Sequence, residues 1–499
     1  MTLASRITGF QMSDYPTRSL TISLNFTHMI FMPFVFSDAS RIFLARTLKL
    51  LGKLKHSKGV TTLVRHRRLR WAYFLSILHL WAPAARPQNR ETDLAFHAIP
   101  FRQWLAAGPK SQLPWRARIF APELSQHQRI WAHIQIEVEG KELLKRCCDG
   151  RSVALVEITD QQGRTHRNYA AQDLKEIKPG LSQYTVTLSW NVFVVPGDYQ
   201  VALALYYSGR EGHSLAVERL HVDALKNDPL PESWRGLPNV EFCDPQPEGV
   251  DEYLLPGVTG RLYLPVMTRR PIRVEILENL TSYRGEQRHP TLYKDRLGVF
   301  LPILKAFGQM ELTNGSLGVA TLDFTRSRET FAQEGVKEGN VDWAGLKEAL
   351  AANATTAVDV HDIRESEQYG VFFRQEMARR LAAEKESTGP GEDRALRVLV
   401  IISGMMQFGF GRPISIAPPS DGNFVVYYLR YEFLPTPSSQ PSILPLPQVQ
   451  GQNHLERFEQ TDDGIGKALK DVKPRVFAVH SAEGVRKAIA AIVGEISRM

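Results

Sequence analysis

A change of hydrophobic period near residue 270 constrains this chain more than any other feature. Before it, apolar residues recur at every second position in short runs. Ile130-Trp131-Ala132-His133-Ile134-Gln135-Ile136-Glu137-Val138 alternates apolar and polar, as a half-buried strand does. Val153–Ile158, Tyr184–Trp190, Gln200–Tyr207 and Leu215–Val222 repeat the behaviour. Turn signals such as Asp160-Gln161-Gln162-Gly163 and Pro196-Gly197-Asp198-Tyr199 separate them. Short strands with this punctuation predict a β-sandwich over residues 114–226. A proline-rich connector follows over 227–256, carrying Pro229, Pro231, Pro238, Pro245 and Pro247.

After the change, strand and helix patterns take turns. Gly257–Val266 reads as a strand leading into the second half, and Ile272–Leu277 as its first full strand. Helical spacing spans 292–310, with Leu297, Phe300, Leu301, Leu304 and Phe307 on one stripe. Leu317–Phe324 is the next strand, and Asp342 stands where it can cap a helix over 342–350. A longer helix runs over 365–384. Arg397–Ser403 is the most strongly apolar strand, and its β-branched run marks it as central. Phe424–Leu429, Arg475–Val479 and an amphipathic helix over 482–496 close the chain. This order predicts a doubly wound α/β layer with a mainly parallel sheet over 257–499.

The N-terminal part speaks to destination. Arg65-His66-Arg67-Arg68-Leu69-Arg70 runs into the apolar stretch 71–81 and then into Ala82-Pro83-Ala84-Ala85, the three-part pattern of a signal peptide over 60–85. The apolar stretch is shorter than the ~20 residues a membrane span needs. Residues 1–59 are accordingly expected to be a mis-called extension, disordered if present, and 86–113 a linker. Charge agrees with this division. Residues 1–59 carry eight Lys and Arg against two Asp and Glu, and 60–84 add four Arg, so the rest has a net charge of about −2 although the whole chain has +8. Nucleic acid is therefore not an expected partner. A membrane is expected only through an uncleaved signal segment. Three cysteines exclude a disulfide framework. Cys147 and Cys148 are adjacent, and a single Cys148–Cys243 bond is one possibility beside inert thiols.

Two resemblances follow from these residues. The Pro196-Gly197-Asp198-Tyr199 entry into a late strand resembles immunoglobulin-like modules of bacterial surface proteins. The order of elements over 271–499 resembles a divergent von Willebrand factor A-type domain of secreted acidobacterial proteins. The matching phrases are Glu278-Asn279-Leu280-Thr281-Ser282, Asp342-Trp343-Ala344-Gly345-Leu346 and Ser403-Gly404. That resemblance implies an adhesion site in which hard oxygen ligands hold Mg²⁺. It needs an Asp-x-Ser-x-Ser loop, which is offered here only as Asn279-x-Thr281-x-Tyr283 or Glu278-x-Leu280-x-Ser282, and an aspartate that Ser403-Gly404-Met405-Met406 lacks. A degenerate ion site would draw on Glu278, Thr281, Ser282 and Asp359. No cofactor is expected.

Catalytic signatures are absent from the sequence. The histidines show no zinc spacing, Ser403 lacks a nucleophile elbow, and the glycine-rich segment 404–411 matches no phosphate-binding loop. Trp131, Trp190, Tyr206 and Tyr207 invite a carbohydrate-binding reading, although alternating aromatics commonly build cores. The expectation is an exported, non-catalytic protein of the bacterial envelope, periplasmic, cell-surface or secreted, that binds another protein or mediates adhesion. Its partner would dock on loops carrying Asn279, Tyr283, Asp362, Met405, Phe408 and Phe410. Two alternatives stay open: a Mg²⁺-dependent adhesion module with an irregular ion site, and an enzyme whose site is assembled only in space.

Overall fold

The computed structural model describes residues 87–112, 114–145, 151–173, 179–207, 212–243, 250–281, 290–336, 339–354, 366–382, 395–406, 408, 414–432 and 463–499. They belong to two compact units divided at Phe101 and Arg102. The segment expected as a linker carries two helices, Pro87–Ala98 and Phe101–Ala107. In the smaller unit the Phe96 and Phe101 rings meet edge to face with centroids 5.0 Å apart.

The larger unit begins with ten strands: β1 (Lys110–Ser111), β2 (Trp115–Ile119), β3 (Glu123–Leu124), β4 (Ile130–Glu139), β5 (Arg151–Thr159), β6 (Thr165–Asp173), β7 (Thr185–Val194), β8 (Gly197–Tyr207), β9 (His213–Val222) and β10 (Val240–Phe242). They form two antiparallel sheets, ordered β1-β9-β8-β5-β6 and β10-β7-β4-β2, with β3 also paired to β4. The period-two pattern has a direct structural meaning in β4. Ile130, Ala132, Ile134, Ile136 and Val138 are buried, while the residues between them are half-buried. Trp190 and Tyr207 are buried, Trp131 is half-buried with its indole N–H donating to Glu123 Oε1 at 2.8 Å, and half-buried Tyr206 sits 5.7 Å from Trp104. Two of the four aromatics singled out for sugar binding are thus interior packing.

Eight further strands follow: β11 (Leu264–Val266), β12 (Ile272–Asn279), β13 (Met310–Leu312), β14 (Gly315–Asp323), β15 (Arg328–Val336), β16 (Leu396–Gly404), β17 (Phe424–Tyr431) and β18 (Arg475–Val479). β11 and β13 form a small parallel pair, and the others a six-stranded sheet ordered β15-β14-β12-β16-β17-β18. Apolar residues of β12 and β16 are buried on both faces, because each strand has neighbours on both sides and packed side chains above and below. One face packs on the helices Pro290–Phe307, Trp343–Ala354 and Ala482–Ile496, through residues such as Leu304, Leu346 and Ile489. The other packs on Ser366–Leu381 and Gly464–Ala468, through Phe373, Met377 and Ile465.

The expected fold class, a β-sandwich followed by a doubly wound, mainly parallel von Willebrand A-like layer, is corrected by this topology. The chain is a β-rich fold of antiparallel and mixed sheets. Among the described residues two of the three large sheets are wholly antiparallel, and the six-stranded one is mixed because β15 runs antiparallel to β14. The reversal is a tight turn in which Ser327 takes a left-handed backbone (φ 46°) and its N–H donates to the Phe324 carbonyl at 3.1 Å. Arg328–Val336 escapes a reading by periodicity because it is an edge strand with mostly exposed or half-buried residues.

One close approach within this sheet is testable. Gly315 sits opposite Ile272 in the β12–β14 register, and a Cβ there would press on the Ile272 carbonyl oxygen and lie 2.8 Å from its Cγ1. Gly315→Ala is expected to destabilise the fold by about 1–3 kcal/mol through overpacking. A urea unfolding midpoint equal to that of the parent would remove this account.

Candidate functional site

The carboxyl ends of β12, β14 and β16 are where the sequence places a binding site. Successive residues of β12 alternate between the two faces of the sheet. Glu278 shares its face with Val274 and Ile276, whereas Asn279 shares the opposite face with Leu277. Asn279 is buried, its Nδ2 donates to Ser403 Oγ at 2.9 Å across to β16, and its Oδ1 accepts from the Thr281 N–H at 3.0 Å. The same Nδ2 lies 3.5 Å from Met406 Sδ. Ser403 Oγ in turn donates to the Gly404 carbonyl at 2.7 Å. Thr281 Oγ1 accepts from the Phe324 N–H at 2.7 Å, tying the end of β12 to β14. These bonds brace three strand ends with neutral groups, as buried polar side chains require.

Glu278 stands apart. It is fully buried, and neither carboxylate oxygen has a hydrogen-bond partner among the described residues. Burial pushes its pKa well above the usual glutamate value. A second carboxylate at this edge, Asp463, is fully used. It caps the helix Gly464–Ala468 through the Gly466 N–H at 3.0 Å and accepts from Tyr428 Oη at 3.1 Å and Arg430 Nη1 at 3.4 Å.

These residues do not fit a divalent cation. The direct Asn279–Ser403 hydrogen bond fills the place where two oxygen ligands would have to diverge around an ion, and both groups are uncharged. Glu278 belongs to the other face, and the Thr281 hydroxyl is already engaged. Among the described residues no group of three or more His, Cys, Asp or Glu side chains is placed to hold a metal. Ser282, Asp359, Tyr283, Asp362, Phe410 and Cys148 lie outside the described residues. Cys243 is buried. Met405 is half-buried, and the Phe408 ring packs 5.8 Å from Phe324 and 5.7 Å from Phe373, so this part of the glycine-rich segment rests on the core.

The sequence reading missed a second feature, a cavity of about 420 Å³ bordered by residues 251–261, the end of the helix Pro290–Phe307 and residues 339–347. Lys305, Arg261, Lys347 and Trp343 line it. Lys305 carries the one local sequence signal, a cation in the apolar last turns of its helix. That position is usually explained by the helix dipole. Behind the cavity, Glu241 accepts from Arg129 Nη1 at 2.7 Å and from Thr259 Oγ1 at 2.8 Å, and it clasps the connector to the antiparallel sheets.

Comparison with known proteins adds no family. No family model matches the chain, and no curated protein matches it. Among solved structures, the conserved hypothetical protein BatB from Bacteroides thetaiotaomicron is 14% identical, with a TM-score of 0.24 over 46% of this chain and 100% of that one. A glycosyl hydrolase family 2 member from Bacteroides cellulosilyticus is 10% identical, with a TM-score of 0.15 over 58% of this chain and 36% of that one. A family 123 glycoside hydrolase from Clostridium perfringens is 8% identical, with a TM-score of 0.19 over 65% of this chain and 73% of that one. Likenesses this slight identify neither a family nor an activity.

Proposed function

We propose that this chain is an exported, non-catalytic protein of the bacterial envelope that works by binding another protein. The observation that carries the reading is the neutral brace at the strand ends. Asn279, Thr281 and Ser403 hold one another and Phe324, giving an edge that can position loops. Among the described residues this edge offers neither a nucleophile–base pair nor a set of ion ligands. The short phrases that resemble those of von Willebrand A-type domains support a binding role at the same edge. The basic–apolar–small pattern of 65–85 and the near-neutral remainder of the chain support export.

In this reading partner binding is independent of divalent metal. Neither Mg²⁺ nor a chelator is expected to move the melting temperature of the full chain, since a ligand stabilises only a state that binds it. A rise of several degrees with millimolar Mg²⁺, reversed by chelation, would establish the adhesion-site alternative instead. Mass spectrometry of the native protein tests export directly. The expected mature start is near Ala85 or Arg86, and a retained Met1 would overturn it.

A further inference from the structure

The cavity beside the connector has an unevenly charged wall. Arg261, Lys305 and Lys347 contribute three cations against the single carboxylate of Asp251. Lys347 and Asp251 form an ion pair, so those two charges cancel. Lys305 is different. Its ammonium donates to the carbonyl oxygens of Leu254 and Leu255, the latter at 3.3 Å, and no described carboxylate lies within ion-pair distance of it. An ammonium has three donors, and two carbonyls leave one of them for water or a ligand. Burial and the nearby Arg129 guanidinium, partly offset by the Glu241 carboxylate, lower the Lys305 pKa to about 8, so the group is mostly charged at neutral pH, and no described carboxylate forms an ion pair with it.

The rest of the wall is mostly apolar, with Thr259, Gln309 and Asn340 as its polar residues. Val341 and Trp343 face the same space. At the rim Gly339 has a left-handed backbone (φ +65°), and a Cβ there would press on the Arg261 guanidinium and lie 2.9 Å from the Gly308 carbonyl oxygen. Only glycine allows this approach, and it brings the residues 339–347 against the end of the helix Pro290–Phe307. The volume falls within the usual range for small-molecule sites.

We propose that this cavity binds a small organic monocarboxylate, with its carboxylate on Lys305 and its apolar body against Trp343 and Val341. The Lys347–Asp251 pair leaves Lys305 and Arg261 as the cations of the wall; Lys305, held by carbonyl oxygens, is the one that takes the carboxylate, and the apolar Trp343 and Val341 favour an organic anion over an inorganic one. The site is independent of the strand-end edge and of the partner-binding reading.

Isothermal titration of the full chain with benzoate, benzylamine and inorganic phosphate tests the proposal. Benzoate is expected to bind saturably near neutral pH, phosphate more weakly and benzylamine not at all. Lys305→Met is expected to weaken benzoate by at least about tenfold, as loss of a buried charge partner does. Trp343→Ala should weaken it less. If Lys305→Met fails to fold, the pH dependence of the parent protein decides. Benzoate affinity should hold from about pH 6 to 7 and fall by about tenfold or more by about pH 10, as the ammonium loses its proton. No binding at millimolar benzoate, equal binding of benzylamine, tighter binding of phosphate, or a flat pH profile would each overturn the proposal.

Discussion

Arg486→Met is expected to lower the unfolding free energy by about 3–5 kcal/mol, the range for removing one partner of a buried ion pair. Arg486 is 1% exposed on the apolar face of the helix Ala482–Ile496. Its Nε and Nη2 grip Asp228 at 2.6 and 2.8 Å, and Nη2 also donates to the Leu230 carbonyl and Ser233 Oγ, each at 2.8 Å. The guanidinium lies 4.6 Å from the Trp234 ring, and Nη1 reaches the Gln128 carbonyl at 3.4 Å. One side chain thus ties the last helix to the proline-rich connector and to the loop before β4. Methionine would fill much of the volume but leave the Asp228 carboxylate without its counter-charge, held among the described residues only by the Leu230 N–H.

The pH dependence of that loss follows from Asp228. Burial raises its pKa, but the Arg486 hydrogen bonds and the Leu230 N–H outweigh burial and hold it below the usual aspartate value. The pair's contribution is therefore complete above the ordinary aspartate pKa and is lost as pH falls through the depressed one. Urea unfolding should show a large gap between parent and variant at neutral pH that narrows in acid. A gap that stays constant in acid would mean the lost stability comes from packing rather than from the ion pair.

Glu278→Leu is expected to act in the opposite direction, stabilising the protein by about 1–3 kcal/mol at neutral pH by removing a buried group without partners. The sign with pH is fixed by the raised carboxyl. The native state keeps a proton that the unfolded chain releases, so the parent's stability is greatest below the unfolded pKa. It then falls by up to about 1.4 kcal/mol per pH unit until the native pKa is reached. The leucine variant lacks this term and should show a flatter profile, with the largest advantage at high pH. Glu278→Gln separates the two effects, because the amide cannot ionise but remains an unsatisfied polar group. It should flatten the profile without raising stability in acid. Equal slopes in parent and leucine variant would show that Glu278 ionises at no cost inside the fold.

Much of the strand content was legible because half-buried strands write their burial into every second residue. Ile130–Val138 and Tyr184–Trp190 are of this kind, and Arg397–Ser403 shows the other signature, a continuous apolar run buried on both faces. β15 was not legible, because an edge strand is wetted on several positions and its residues carry no two-fold contrast. That omission left the antiparallel edge strand out of a sheet expected to be mainly parallel. The strand-end site was half legible. Asn279 and Thr281 were legible as positions of a degenerate ion-site loop and Ser403 only as the end of its strand, and a sequence does not say which of Glu278 and Asn279 faces the neighbouring strand end. The pleat decides that, and it sends Asn279 toward Ser403 and Glu278 into the opposite core.

By itself the sequence determined the local matters: the period of each strand, the stripe of each amphipathic helix, the caps, and the charge balance along the chain. These depend on residues within a few positions of one another. Only the tertiary structure decided the direction of β15, the isolation of the Glu278 carboxyl, the Arg486–Asp228 pair and the seating of the Lys305 ammonium on two carbonyls. Arg486 and Asp228 are 258 residues apart. Whether a charge finds a partner depends on which distant segments are brought beside it, and no local pattern records that.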